Sequence, residues 1–116
     1  MNVQTKFLQL LDQLKVYHWQ TTKYSRHMAF GASYDALSPL VDAFIESYLG
    51  TLDKRLAAES FDLKNLSEYE PKEFCLEAIE SIKEIRESME EYPDLINIAD
   101  EMIAVFGKLK YLLTLE

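Results

Sequence analysis

Apolar side chains recur along this chain with the period of helices. Phe7, Leu10, Leu11, Leu14, Tyr17 and His18 follow Val3 at spacings of three and four, so they share one helical face. The pattern predicts a first helix over about residues 3 to 21. Thr21 and Thr22 are poor helix formers and Ser25 is a capable N-cap, which places a reversal near residues 22 to 25. A second helix then runs to about Gly50 or a turn beyond, with Phe30, Tyr34, Leu37, Val41, Phe44, Tyr48 and Leu52 on one arc. Pro39 falls inside it. Because proline lacks a donor and crowds the preceding turn, a kink is expected there, or a break capped by Ser38.

Residues 60–70 lose the periodicity and read as a connection with room for one helical turn. Pro71 suits the first position of a third helix, whose apolar stripe is Phe74, Cys75, Ala78, Ile79, Ile82, Ile85 and Met89. Glu77, Glu80, Glu84, Glu87 and Glu91 lie off that stripe and read as a solvated face. Tyr92, Pro93 and Asp94 interrupt the pattern. A fourth helix follows with Leu95, Ile98, Ala99, Met102, Val105, Phe106, Leu109, Leu112 and Leu113 inward. Two short connections and one longer one predict an all-α fold, an antiparallel four-helix bundle with one long crossover between the second and third helices.

Length and composition agree with this. A chain of 116 residues supports one hydrophobic core, so a single domain is expected over 1–116. Three glycines and three prolines are too few for the closely spaced turns of a β-sandwich. The net charge is −8, and all of the excess lies after residue 60. No run of Lys or Arg supplies a phosphate-neutralising surface, so nucleic acid is not an expected partner and cations are. Cys75 is the only cysteine and can form no internal disulfide; flanked by Phe74 and Leu76, it reads as a buried thiol in a reducing, cytoplasmic compartment. The opening MNVQTKFLQLLDQ has no basic start followed by an apolar run, and no window is apolar enough to span a bilayer, so neither secretion nor membrane insertion is expected.

Candidate chemistry is concentrated in residues 15–47, which hold both histidines. On a helical wheel with His27 at zero, Ser38, Gly31, Asp42, Asp35 and Glu46 fall within about 100°, a polar stripe beside the apolar arc. Asp42 and Glu46 are one turn apart and repel unless solvent screens them or a cation joins them. His18 lies among the apolar positions of the first helix, either as a core histidine bonded to a carbonyl or as a ligand. Trp19 points about 100° away, to cap the bundle, line a pocket or fill a subunit interface, with packing the simplest role. Tyr17, Tyr24 and Tyr34 crowd the same stretch as core filling or as a redox-buffering environment.

Taken together, His18-Trp19, a short loop, His27, and Asp42 with Glu46 spaced as D-x-x-x-E resemble the ferroxidase motif of the Dps-type miniferritins, the DNA-protecting proteins of starved cells. The interval from His27 to Glu46 matches that family's, and IADEMIAVFGKLKYLL is similar to its last helix. The resemblance implies a ferritin-like bundle, a homo-oligomer with at least a two-fold dimer, and iron oxidised from Fe(II) to Fe(III) by peroxide or dioxygen at a site between subunits. It implies His18 and His27 as neutral nitrogen ligands from one chain, Asp42 and Glu46 as anionic ligands from another, and Asp35 beside them or on the ion's path. Two features depart from the family: the interval between the histidines is shorter, and Gly31 stands where the family has an aspartate. A classical di-iron centre needs Glu-x-x-His, yet Lys15 and Tyr24 occupy the positions three before the histidines. Zinc fits poorly with one cysteine and no His pair at i, i+4, whereas mixed imidazole and carboxylate donors suit iron(II). Nucleophilic triads, glycine-rich phosphate loops and cysteine redox pairs are not found. The alternative is a non-catalytic helical interaction module that has lost productive metal chemistry.

Overall fold

A computed structural model describes residues 1–115. Its regular elements are four helices: α1 (Val3–Gln20), α2 (Tyr24–Leu52), α3 (Pro71–Glu87) and α4 (Pro93–Leu112). The 29 residues of α2 rise about 44 Å at 1.5 Å each, so this one helix spans the molecule's 44 Å long axis. α1 packs on α2, α2 on α4 and α4 on α3, while α1 and α3 meet only sparsely; α2 and α3 stand on opposite corners and do not touch. Neighbours run antiparallel. Ser47, late in α2, donates to Asp94 at the start of α4 at 2.7 Å, and Arg26, early in α2, donates to the Leu113 carbonyl just past the end of α4 at 3.3 Å.

The predicted apolar stripes form the core. Phe7, Leu14, Tyr17, Phe30, Leu37, Phe44, Ile82, Leu95, Met102, Phe106 and Leu109 are all buried, and they join residues of all four helices in one cluster. At the level where α1 ends, each helix contributes one ring: Tyr17 meets Phe30 at 5.3 Å and Phe74 at 5.5 Å, and Phe74 meets Phe106 edge-on at 5.7 Å. Edge contacts of this kind add about 0.5–1.5 kcal/mol beyond the area they bury. The Tyr17 hydroxyl, fully buried, donates to the Tyr69 carbonyl at 2.9 Å, and burial pushes its pKa well above the ordinary phenol value.

The helix starts follow local chemistry, with one correction. Asn2 caps α1 by accepting from the Thr5 N–H at 2.9 Å, and Pro71 and Pro93 open α3 and α4 as expected. Ser25 is not a cap: α2 already begins at Tyr24, with Lys23 at the N-cap position, because Thr21 takes an extended conformation and turns the chain early. Pro39 does not break α2, and Ser38 caps nothing. The proline ring is exposed, so the carbonyl it leaves without a donor faces water rather than the core. α2 ends on Asp53 in the left-handed region (φ 50°), which aspartate tolerates better than most residues, with its N–H on the Leu49 carbonyl.

Residues 53–70 contain no helix; their one turn is closed by Glu68 N–H on the Asn65 carbonyl at 2.9 Å. The segment runs beside α1 from its start to its end, because amide side chains of α1 hold its backbone. Asn2 donates to the Ala57 carbonyl at 2.9 Å, Gln9 to that of Asp62 at 3.1 Å, and Gln20 accepts from the Leu66 N–H at 2.8 Å. Gln13, 3% exposed, makes two bonds to one residue: it donates to the Lys64 carbonyl at 2.8 Å and accepts from the Lys64 N–H at 2.9 Å. Leu66 and Tyr69 pack on the core from above.

No helix among the described residues is long and apolar enough to cross a membrane. Cys75 is fully enclosed, and burial pushes its thiol up to about 12. The thiolate is therefore scarce and inaccessible at neutral pH.

Two predictions follow from this packing. Replacing Gln13 by Ala leaves both backbone groups of Lys64 unpaired beneath the crossover, a loss of about 1–3 kcal/mol by urea denaturation, whereas the exposed Gln20→Ala loses less than about 1 kcal/mol. Cys75 resists iodoacetamide at about pH 8 in the native protein and reacts fully in denaturant; rapid native alkylation would contradict its enclosure.

Candidate functional site

His18 lies in the last turn of α1 and His27 in the first turn of α2, and the short reversal between them brings them face to face. His18 Nδ1 donates to the His27 carbonyl at 2.8 Å, and His27 Nδ1 donates to the His18 carbonyl at 2.8 Å. The rings stack with centroids 3.8 Å apart and planes 16° from parallel. A carbonyl can only accept, so each Nδ1 carries a hydrogen, and each neutral ring keeps its lone pair on Nε2. The exchange also has a helical cause. The last four carbonyls of α1 have no intrahelical donor; Thr21 N–H takes that of Tyr17 at 3.0 Å, and His27 takes that of His18.

Gly31 makes this arrangement possible. A Cβ at position 31 would lie 3.0 Å from Cε1 and 3.2 Å from Nδ1 of His18, so the imidazole rests on bare α2 backbone. The departure from the resembled motif is thus filled by the histidine itself. Tyr24 extends the stack on the other side of His27, with ring centroids 6.2 Å apart. Both histidines are half-buried.

The carboxylates lie elsewhere. Asp35, Asp42 and Glu46 are exposed on α2, and at 1.5 Å per residue they stand about 12, 22 and 28 Å along the axis from His27. Within one chain they do not meet the histidines, and no group of three or more His, Cys, Asp or Glu among the described residues is placed to hold a metal ion. Trp19 is 72% exposed and Tyr24 76%, so neither packs within this chain's core. Lys15 places its ammonium 6.0 Å over Trp19 and 4.3 Å over the half-buried Tyr34. Of the three tyrosines in this stretch, Tyr17 is buried in the core, Tyr34 packs half-buried against it and Tyr24 is exposed.

Sequence reasoning found the two histidines and offered a carbonyl as one partner for His18, which His27 supplies, but missed that the bond is returned by His27. The readable signal was a histidine in the last turn of one helix and another at the start of the next, followed four residues later by glycine. The structure thus defines a four-helix bundle whose imidazoles are held by main chain at one end and whose free carboxylates line the far part of the same helix. The chain belongs to a family of unknown function, DUF5856, which matches over residues 18–113, from the first histidine to past the end of α4. Comparison with curated proteins and with solved structures finds no match.

The Gly31 contact yields a paired prediction. Gly31→Ala gains up to about 1 kcal/mol of helix propensity but incurs an overpacking cost of about 1–3 kcal/mol, so it is net destabilising. Gly50→Ala and Gly107→Ala, whose added methyls meet nothing within 4 Å, keep the propensity gain and raise the urea midpoint. Equal midpoint shifts for all three would rule out the His18 contact.

Proposed function

We propose that this bundle takes Fe(II) as substrate at a site shared by two copies of the chain and oxidises it to Fe(III), as its resemblance to Dps-type, ferritin-like proteins implies. The observation that carries the reading is the fixed tautomer of His18 and His27: with both Nδ1 atoms on main-chain carbonyls, both Nε2 lone pairs are available as neutral donors. Asp42 and Glu46 supply exposed carboxylates one turn apart, and among the described residues neither is held in an ion pair. Two imidazoles and two carboxylates make a mixed donor set suited to iron(II). The crossover beside α1, which lets α2 and α3 occupy opposite corners, supports the ferritin-like reading of the bundle.

The separation along α2 favours a two-fold arrangement. Two antiparallel α2 helices that bring His27 of one copy opposite Asp42 and Glu46 of the other cross near Asp35 and Ala36. The exposed residues there, Ala32, Ala36 and Pro39, are small and allow close approach. Within α2 and α4 charge is arranged to match: Arg26, Lys108 and Lys110 stand toward the histidine end, and Asp42, Glu46 and Asp94 toward the other. Pairing of this kind sets opposite signs against each other. Asp35 then faces its counterpart near the axis and attracts cations on their way in. In the chemical step two Fe(II) ions each give one electron to a peroxide, which takes up two protons and leaves as two waters.

A second reading is a helical interaction module without metal chemistry. The observation in its favour is that the histidine exchange already serves to close the α1 to α2 junction, while Trp19 and Tyr24 are left exposed beside it.

The deciding experiment follows Fe(II) oxidation by ultraviolet absorbance with peroxide or air. Wild type is expected to oxidise Fe(II) faster than buffer and Asp42→Ala/Glu46→Ala to match buffer. Mixing that variant with His18→Ala/His27→Ala restores part of the rate, because one intact site reforms in each mixed pair. A wild-type trace equal to buffer would sink the oxidation and leave the interaction module.

A further inference from the structure

A cavity remote from the histidines lies under the crossover. Because α1 and α3 meet only sparsely, the crossover roofs a gap between them rather than a closed seam, and the gap holds a cavity of about 150 Å³. Leu10, Phe74 and Ala78 form its apolar floor. Gln9 and Gln13 form one wall, held in place by their bonds to the backbone of Asp62 and Lys64, and Gln13 is almost fully buried.

Four charged residues line this space: Lys6 from α1, Asp62 and Lys64 from the crossover, and Glu77 from α3. Among the described residues, no ion pair within 4.0 Å joins either lysine to either carboxylate. Lys6 instead donates to Gln9 at 3.1 Å, the Lys64 ammonium lies 4.6 Å over the Tyr69 ring, and Glu77 accepts from the Tyr69 hydroxyl. Three of the four charges are thus steadied by a neutral neighbour, and charges of both signs border the cavity without neutralising one another.

We infer that this cavity is a binding site for a small zwitterion of the free amino-acid class. The ligand's carboxylate would be met by Lys6 and Lys64, its ammonium by Glu77 and Asp62, and its short side chain by Leu10, Phe74 and Ala78. The volume limits the occupant: a cavity of this size accommodates a ligand of about six heavy atoms, or about five waters. A lone anion would leave Glu77 and Asp62 facing it, and a lone cation would leave the two lysines. The zwitterion satisfies both signs and makes charge-assisted bonds at each end.

The test uses the whole chain and three probes: L-alanine, and propionate and ethylamine as its separate halves. Amide resonances of Gln9, Gln13, Lys64 and Tyr69 are expected to shift saturably with L-alanine at up to about 100 mM, with propionate and ethylamine giving no saturable shift at the same concentrations. Lys64→Met and Glu77→Gln each weaken L-alanine binding by about tenfold or more. Both are exposed positions, and glutamine keeps an acceptor for Tyr69, so a far-ultraviolet circular dichroism spectrum like wild type accompanies the loss. The inference is overturned by an absence of saturable shifts with L-alanine, which leaves a water-filled cavity. It is equally overturned by propionate binding as well as L-alanine does, or by both variants binding L-alanine as wild type does. None of these outcomes bears on iron, which is read at the other site.

Discussion

A connection that joins opposite corners of a bundle must travel its length, and here it does so without a helix or strand to pair its own backbone. Buried main-chain groups without partners cost about 1–3 kcal/mol each, so where the largely exposed crossover of residues 53–70 lies against α1 its backbone draws partners from side chains along that helix's flank. Asn2, Gln9, Gln13 and Gln20 fall within about 40° of one another on its wheel, a narrow amide stripe beside the apolar face that faces the core. An amide suits the task because it donates and accepts at once, and Gln13 uses both functions on the N–H and C=O of a single residue. The stripe fixes the path of the crossover, the path fixes where α3 begins, and Tyr17 locks that junction by reaching the Tyr69 carbonyl two residues before Pro71.

This division of α1 explains which parts of the fold were legible. The apolar stripes of all four helices are strongly periodic, and Pro71 and Pro93 mark two helix starts by local chemistry alone. The amide stripe is no less periodic, but glutamine on a helix ordinarily faces water, so nothing marks it as structural until residues some 50 positions away lie against it. The lack of periodicity in 60–70 has the same origin. Its conformation is set from outside the segment, by partners on α1, and a local window holds no record of them. Ser25 was misleading for the opposite reason: its type favours a cap, but the chain had already turned at Thr21.

At the candidate site, residue type proved more legible than geometry. Histidine and carboxylate positions can be read from spacing on a helix, and both imidazoles do lie together. What spacing does not convey is that each Nδ1 is used by the other residue's carbonyl, or that Gly31 is bare so that His18 can lie on α2. An aspartate at position 31 would have offered a ligand; glycine offers space, and the ring takes it. The bundle therefore gains rigidity at the α1 to α2 junction in the place where the resembled motif has another oxygen donor.

That exchange has a chemical consequence for any cation. A histidine free to choose its tautomer pays for metal binding by reorienting and by finding a partner for its second nitrogen; here main chain has already made the choice for both rings. The donors are thus preorganised, while the charge needed to hold a divalent ion is displaced about 22–28 Å along α2, at Asp42 and Glu46. One chain holds neutral donors at one end and anionic donors toward the other, and no flexing of a continuous helix can bring them together. The proposed reading assigns that task to an antiparallel neighbour. On the proposed iron reading, the continuity of α2 through Pro39 therefore makes the site depend on a second copy of the chain.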